Sequence, residues 1–183
     1  MIIVVVLLVV LVLLAIIVGV LYNGLVGLRN KVESAWAQID VQLTRRSELI
    51  PNLVETVKGY AAHEKTTLDA VIQARNMANS ATTPADKAAA DNVLTGALKS
   101  VFALAEAYPD LKANQNFLNL QDTLTATEDK IAYARQYYND TVKQYNTKTQ
   151  TVPTSLIAKQ FGFTAREYFE AGGSARGPVD VQF

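Results

Sequence analysis

From Ile2 to Leu21 the sequence holds no charged residue and no side-chain amide, and every position except Ala15 and Gly19 is Val, Ile or Leu. As an α-helix, roughly 20 residues at about 1.5 Å each span about 30 Å, the thickness of a bilayer's hydrocarbon core. At about 0.3 to 0.6 kcal/mol per aliphatic residue near the helix centre, insertion is favoured by on the order of 5 to 10 kcal/mol, and no charge opposes it. Val and Ile favour strands in water, but a lone strand in lipid leaves its amides unpaired, whereas a helix pairs them internally. A cleaved signal peptide fits less well. The run exceeds the usual apolar length of about 7 to 15 residues, no basic stretch precedes it and no small-x-small site closes it. The expectation is an uncleaved anchor in the lipid bilayer from Ile2 to Leu21.

Beyond the anchor roughly 160 residues remain, enough for one domain with its own core. Lys+Arg 17 balance Asp+Glu 17, which gives no broad positive field for nucleic acid. Cys is 0 and His is 1, so thiolate and multi-histidine metal sites are outside the reach of one chain. Arg29 and Lys31 follow the run closely, and the positive-inside rule then places the following domain in the cytoplasm.

Tyr22 stands where an aromatic ring straddles the headgroup layer. Asn23, Gly24 and Gly27 either let the chain leave the bilayer at an angle or continue one long helix. Leu25, Leu28, Val32, Trp36, Ile39 and Leu43 recur at three and four residues, the pattern of an amphipathic helix. Pro51 predicts a break near Ser47 to Ile50 and a second helix from Pro51 to about Asn79, with a kinked continuous helix as the alternative. Asn79 to Pro84 reads as a loop with Thr83 as N-cap, followed by a third helix from Pro84 to Tyr108 that Pro109 and Asp110 end. Phe117, Leu124, Ile131, Tyr138 and Tyr145 fall seven apart, with Leu120, Thr127, Ala134 and Thr141 interleaved, which predicts one long helix packed along its length.

Four such helices joined by short loops bury their stripes as an up-and-down antiparallel four-helix bundle, so the expected fold class is all-α: an N-terminal transmembrane helix followed by that bundle. Pro153 to Phe161 reads as a short helix ended by Gly162, with Phe161, Phe163, Tyr168 and Phe169 capping an end of the bundle. The expected domains are an anchor over 1–22, the helical bundle over 23–170 and a flexible tail over 171–183.

The segment from Tyr22 to Glu64 resembles the LemA family of prokaryotic membrane proteins. Tyr22, Asn23, Leu25, Val26 and Arg29 carry the likeness, then Ala35, Trp36 and Ile39 to Leu43, then Arg45, Arg46, Leu49 to Val54, and Val57 to Tyr60. Ile157, Ala158, Phe161 to Phe163, Tyr168, Phe169 and the stretch from Pro178 to Phe183 also look like that family. The resemblance implies a short extracytoplasmic N-terminus, one membrane helix and a cytoplasmic up-and-down bundle, and it brings no established biochemical activity. Relatives with a lipoprotein-type N-terminus carry a cysteine that this sequence lacks, so lipidation is not implied.

Chemistry-bearing motifs are sparse. His63 and Glu64 open a His-Glu-x-x-His pattern, but Thr67 holds the second histidine's place, and an exposed helix-surface histidine is the simpler reading. No Gly-x-Ser-x-Gly elbow and no Gly-x-x-x-x-Gly-Lys cradle occurs. Arg45 and Arg46 either face the carbonyls at the end of the first helix or fork to a partner carboxylate or lipid phosphate, and Arg29 is a further candidate contact. Asp40 is expected to face Arg75 or Lys58 across the bundle, where an ion pair specifies register more than it stabilises. Trp36 and the Tyr series of the last helix read as core and rim. Pro178, Val179, Val181 and Phe183 form an alternating tail that either adds as a strand to another protein, is bound through its carboxylate, or folds back onto its own bundle.

The function expected from these residues is non-enzymatic: a membrane-tethered interaction protein with no cofactor and no metal, holding other membrane proteins at the bilayer surface. A self-assembling homo-oligomeric scaffold is the alternative, and an enzyme acting at the membrane the third reading.

Overall fold

The computed structural model describes residues 1–170, and helices dominate it: α1 (Ile2–Lys58), α2 (Lys65–Ser80), α3 (Pro84–Ala105), α4 (Pro109–Lys112), α5 (Gln115–Gln150) and α6 (Thr154–Gln160). The described chain divides into two compact units. The anchor unit contains Met1–Ala37 and Tyr137–Glu167, and the bundle unit contains Gln38–Gln136 with the residues from Tyr168.

In the bundle unit, four helical stretches pack up and down. Ile50, Leu53, Val54 and Val57 of α1, Leu68, Val71 and Ala74 of α2, Leu94, Leu98, Val101 and Ala105 of α3, and Phe117 and Leu124 of α5 form one buried cluster. Their spacing of three, four or, on α5, seven residues places each set on one face of its helix, so the stripes meet when the helices lie side by side. Polar contacts fix the alternating direction. At one end Tyr108 donates from its hydroxyl to Glu64 Oε1 at 2.8 Å, and Asn114 Nδ2 donates to the Tyr60 hydroxyl at 2.9 Å. At the other, Ser47 donates to Asn79 Oδ1 at 2.6 Å and Asp40 pairs with Lys87. Asp40 therefore meets α3, and neither Arg75 nor Lys58 is its partner.

The break expected near Ser47 to Ile50 is absent, because α1 runs unbroken through Pro51. Proline lacks the N–H that would bond the carbonyl four residues back, that of Ser47. Arg75 Nε on α2 donates to that carbonyl at 3.1 Å instead. A tertiary donor thus replaces the missing helical one, where an orphaned buried carbonyl would cost about 1 to 3 kcal/mol. Consequently the real interruption comes later. After Lys58 the chain turns through Gly59 to Glu64, with Ala61 buried and bonding back to the Val57 carbonyl at 2.8 Å, and α2 begins only at Lys65.

Downstream, the Thr83 hydroxyl accepts from the Asp86 N–H at 3.1 Å, so it caps α3 as its sequence predicts. The helix stops at Ala105 rather than Tyr108, and Pro109 opens the single turn α4 instead of ending α3. Proline suits a first helical turn, and fully buried Leu111 holds that turn against the bundle. All five heptad residues of α5, Phe117 to Tyr145, are buried, as are Thr127, Ala134 and Thr141.

In the anchor unit the apolar side chains from Ile2 to Val20 are exposed, and burial begins with Leu25. After α6, Gly162 takes φ +71° and lets the Phe163 N–H bond the Ala158 carbonyl at 2.9 Å, which reverses the chain. Of the four aromatics expected to cap the bundle, Phe161 and Phe163 fall in this unit, exposed and buried respectively, and Tyr168 and Phe169 in the bundle unit, exposed and buried respectively.

Candidate functional site

Two groups of side chains stand out, one in each unit. In the bundle unit, Arg46 lies on the α1 stripe at the spacing Ile39, Leu43, Arg46, Ile50, so the helix that buries its aliphatic neighbours buries its guanidinium as well. Only 3% of Arg46 is exposed. Its Nη1 is 2.6 Å from Asp91 Oδ1 on α3 and 2.6 Å from Glu128 Oε2 on α5. The Glu128 contact is an ion pair without hydrogen-bond alignment, and Arg46 Nε, Glu128 Oε2 and Gln42 Oε1 find no hydrogen-bond partner among the described residues.

Two carboxylates share the Arg46 guanidinium, Asp91 buried with it and Glu128 partly exposed, and Arg135 exerts a weaker pull on Asp91. Burial pushes the Asp91 carboxyl above its ordinary value; Arg46 pulls it down and Glu128 pushes it further up. Next to this cluster a cavity of about 220 Å³ is lined by Leu43, Thr44, Asn79, Lys87, Asp91 and Leu94. The arrangement fixes helix register, since only one alignment of the three helices joins the charges.

In the anchor unit, Tyr22 directly follows the apolar run. Its ring meets Phe161 edge-on at 4.9 Å and Phe163 at 5.7 Å. Seven residues on, the Arg29 guanidinium lies over the Phe163 ring at 5.3 Å. The irregular stretch 163–167 is held by polar contacts. Asn146 Nδ2 donates to the Arg166 carbonyl at 2.9 Å, and the Arg166 N–H donates to Asn146 Oδ1 at 2.8 Å. Tyr138 donates from its hydroxyl to the Glu167 carbonyl at 2.8 Å, and its ring lies 5.4 Å from that of half-buried Trp36. Burial pushes the Tyr138 phenol above its ordinary value, against the pull of Arg166. Arg166 Nη2 also pairs with Glu33 Oε1 at 3.2 Å.

The sequence-based candidates therefore separate. Arg29 stacks on Phe163, Arg45 is exposed and Arg46 is held inside the bundle unit. Neither arginine of the pair faces terminal carbonyls, because no helix ends there. Pro178, Val179, Val181 and Phe183 lie outside the described residues. His63 is exposed in the turn before α2, and among the described residues no three His, Cys, Asp or Glu side chains gather to share a metal ion. Sequence reasoning missed Asp91, Glu128 and Asn146. A signal existed for the first two, since Asp91 lies three residues before buried Leu94, and Glu128 three before buried Ile131. A charge at core spacing on three helices is a pattern that linear reading can detect. For Asn146 no such signal existed, because its partner is the backbone of irregular chain.

Comparison with known proteins extends over most of this structure. Protein LemA of Metamycoplasma hominis is 27% identical over 163 residues, covering 87% of this chain and 73% of that protein. Magnetosome protein MamQ of Magnetospirillum gryphiswaldense is 24% identical over 184 residues, covering 86% of this chain and 68% of its own. Magnetosome protein MamQ 2 of Paramagnetospirillum magneticum is 29% identical over 90 residues, covering 49% of this chain and a smaller share, 33%, of its own. The LemA family model matches residues 35–183, which takes in Arg46, Asp91, Glu128 and Asn146. On the breadth of that match, the chain belongs to the LemA family.

Proposed function

We propose that this protein is a membrane-anchored, non-enzymatic interaction protein that holds partners at the bilayer surface. Residues 1–22 are its anchor, 23–170 its helical body on the cytoplasmic side of the cell membrane, and 171–183 a tail available to partners. One observation carries the reading: the side chains from Ile2 to Val20 all point outward from a single helix, exposed and aliphatic, whereas burial starts at Leu25 of the same helix. Water would oppose that exposure by roughly 1.5 to 3 kcal/mol for each large side chain, and lipid removes the penalty.

Alkaline carbonate extraction tests the anchor. The full chain should stay with the membrane pellet and a chain lacking Ile2 to Leu21 should leave it; release of the full chain refutes the reading. Pull-down from mild detergent with and without Pro178 to Phe183 then tests the tail, and an unchanged set of partners removes those residues from it. A homo-oligomeric scaffold is the second reading, favoured by Val41, Val93 and Tyr133 exposed on the bundle unit. A detergent-solubilised chain that stays monomeric at high concentration would eliminate it.

A further inference from the structure

The anchor explains the apolar surface up to Val20, yet the same unit exposes a second apolar group far along the chain. Val152 is 78% exposed, Leu156 on α6 64% and Phe161 53%. The last of these residues is placed against the anchor. Phe161 touches the ring of Tyr22 at 4.9 Å, and Tyr22 is the residue next to Leu21. At about 1.5 Å of rise per residue, that contact lies within one helical turn of the end of the hydrocarbon-length run. The headgroup layer is about 5 to 8 Å deep on each side, so a ring held against Tyr22 lies at its depth.

Two further features keep the segment there. The positive φ of Gly162 and the bond from the Phe163 N–H to the Ala158 carbonyl turn the chain so that Phe163 is buried while Phe161 stays outside. Leu156 is followed three residues later by exposed Lys159, which shares its helix face. An aliphatic side chain beside a lysine whose charged tip reaches back to water and phosphate is the composition of an interfacial segment.

We propose that Val152 to Phe161 is a second lipid contact, an interfacial wedge in which Leu156 and Phe161 enter the acyl boundary beside the transmembrane helix. The occupant of this face is the bilayer itself, because Phe161, at the end of the segment, packs on Tyr22, the residue that adjoins the apolar run given to lipid. Two contacts on one leaflet would set the anchor unit's tilt and rotation about α1, which a single helix leaves free. The inference rests on the anchor reading above.

Brominated-lipid quenching separates the two. The full chain is reconstituted in phosphatidylcholine and phosphatidylglycerol vesicles with or without brominated acyl chains, and Leu156→Trp and Val10→Trp are each compared with the parent, whose Trp36 supplies the baseline. Leu156 is exposed, so tryptophan there leaves the packed side chains in place. Both variants should lose emission in brominated vesicles beyond the parent. Quenched Val10→Trp with unquenched Leu156→Trp overturns the wedge and leaves the anchor standing, whereas an unquenched Val10→Trp overturns both. A Leu156→Trp emission that ignores bromine but shifts to the blue as protein-to-lipid ratio rises assigns the face to a second copy, and also overturns the wedge.

Discussion

The bundle unit and the anchor unit each contain an arginine in an ion pair, and the two pairs do opposite work. Arg46 meets Asp91 in the interior of the bundle unit, with both side chains almost fully buried. Arg166 meets Glu33 in the anchor unit, with both side chains about half exposed. The bundle unit holds a buried charge where α1, α3 and α5 meet, with Arg46 one turn before Ile50 of the apolar cluster. The anchor unit relies on aromatic rings and on side chains that bond irregular backbone. Charge is therefore a register device in one unit and a surface tie in the other, and substitutions should affect the two very differently.

The largest effect should come from Arg46→Ala, which leaves Asp91 buried and unpaired at a cost of about 3 to 5 kcal/mol in denaturant unfolding. Replacing Arg46, Asp91 and Glu128 together with apolar residues of similar volume should be near neutral. If the triple variant is as damaged as the single one, the cluster contributes more than register. The pH dependence sharpens this. Burial raises the Asp91 carboxyl above 3.8, so the folded state binds its proton more tightly than the unfolded chain does. An acid raised in this way contributes stability below 3.8 that is lost as pH rises through its folded pKa. The stability of the parent minus that of Asp91→Asn should fall across that window and then level off. A difference that climbs with pH would mean that attraction to Arg46 outweighs burial.

Next in size is the replacement of Pro51's missing bond. Arg75→Ala should cost about 1.5 to 3 kcal/mol, the range for a hydrogen bond from a charged donor. In a Pro51→Ala background the cost should shrink, because an alanine N–H reaches the Ser47 carbonyl from within the helix. Equal costs in the two backgrounds would show that Arg75 acts elsewhere. This is also where sequence reading stopped. The heptads of α5, the Thr83 cap and the Gly162 terminator were legible because each depends on residues within a few positions of one another. Continuity through Pro51 depends on a donor 24 positions away, and the Asp40 to Lys87 pairing spans 47. Arg46 reads as facing helix-end carbonyls or an outside partner. Its core spacing and that of Asp91 and Glu128 are present in the sequence, but that the three meet becomes apparent only when the helices are aligned.

A smaller loss tests the anchor unit's dependence on polar ties to irregular chain. Asn146→Ala removes both bonds to the Arg166 backbone and should cost about 1 to 3 kcal/mol. Asn146→Asp keeps an acceptor for the Arg166 N–H while setting a carboxylate oxygen against the Arg166 carbonyl, so it should recover little of the loss. Full recovery would mean that the carbonyl bond contributes nothing. Proteolysis between Phe163 and Glu167 should accelerate in both variants, because that stretch has no helical bonds of its own to resist opening.

The smallest expected effect is Glu33→Gln, which removes the anchor unit's counterpart of the Arg46 pair. An exposed pair at 3.2 Å gains little in high dielectric and loses side-chain entropy, so the change should be below about 1 kcal/mol. It should also shrink further in concentrated salt, where screening shortens the reach of exposed charges to a few ångströms. Arg46→Ala should keep its full cost in the same salt, since ions do not reach a guanidinium enclosed by three helices. If Glu33→Gln instead rivals Asn146→Ala and resists salt, lipid headgroups or a partner must exclude water from that surface. The contrast between an interior and an exterior arginine would then reflect sequestration at the membrane rather than depth within the protein.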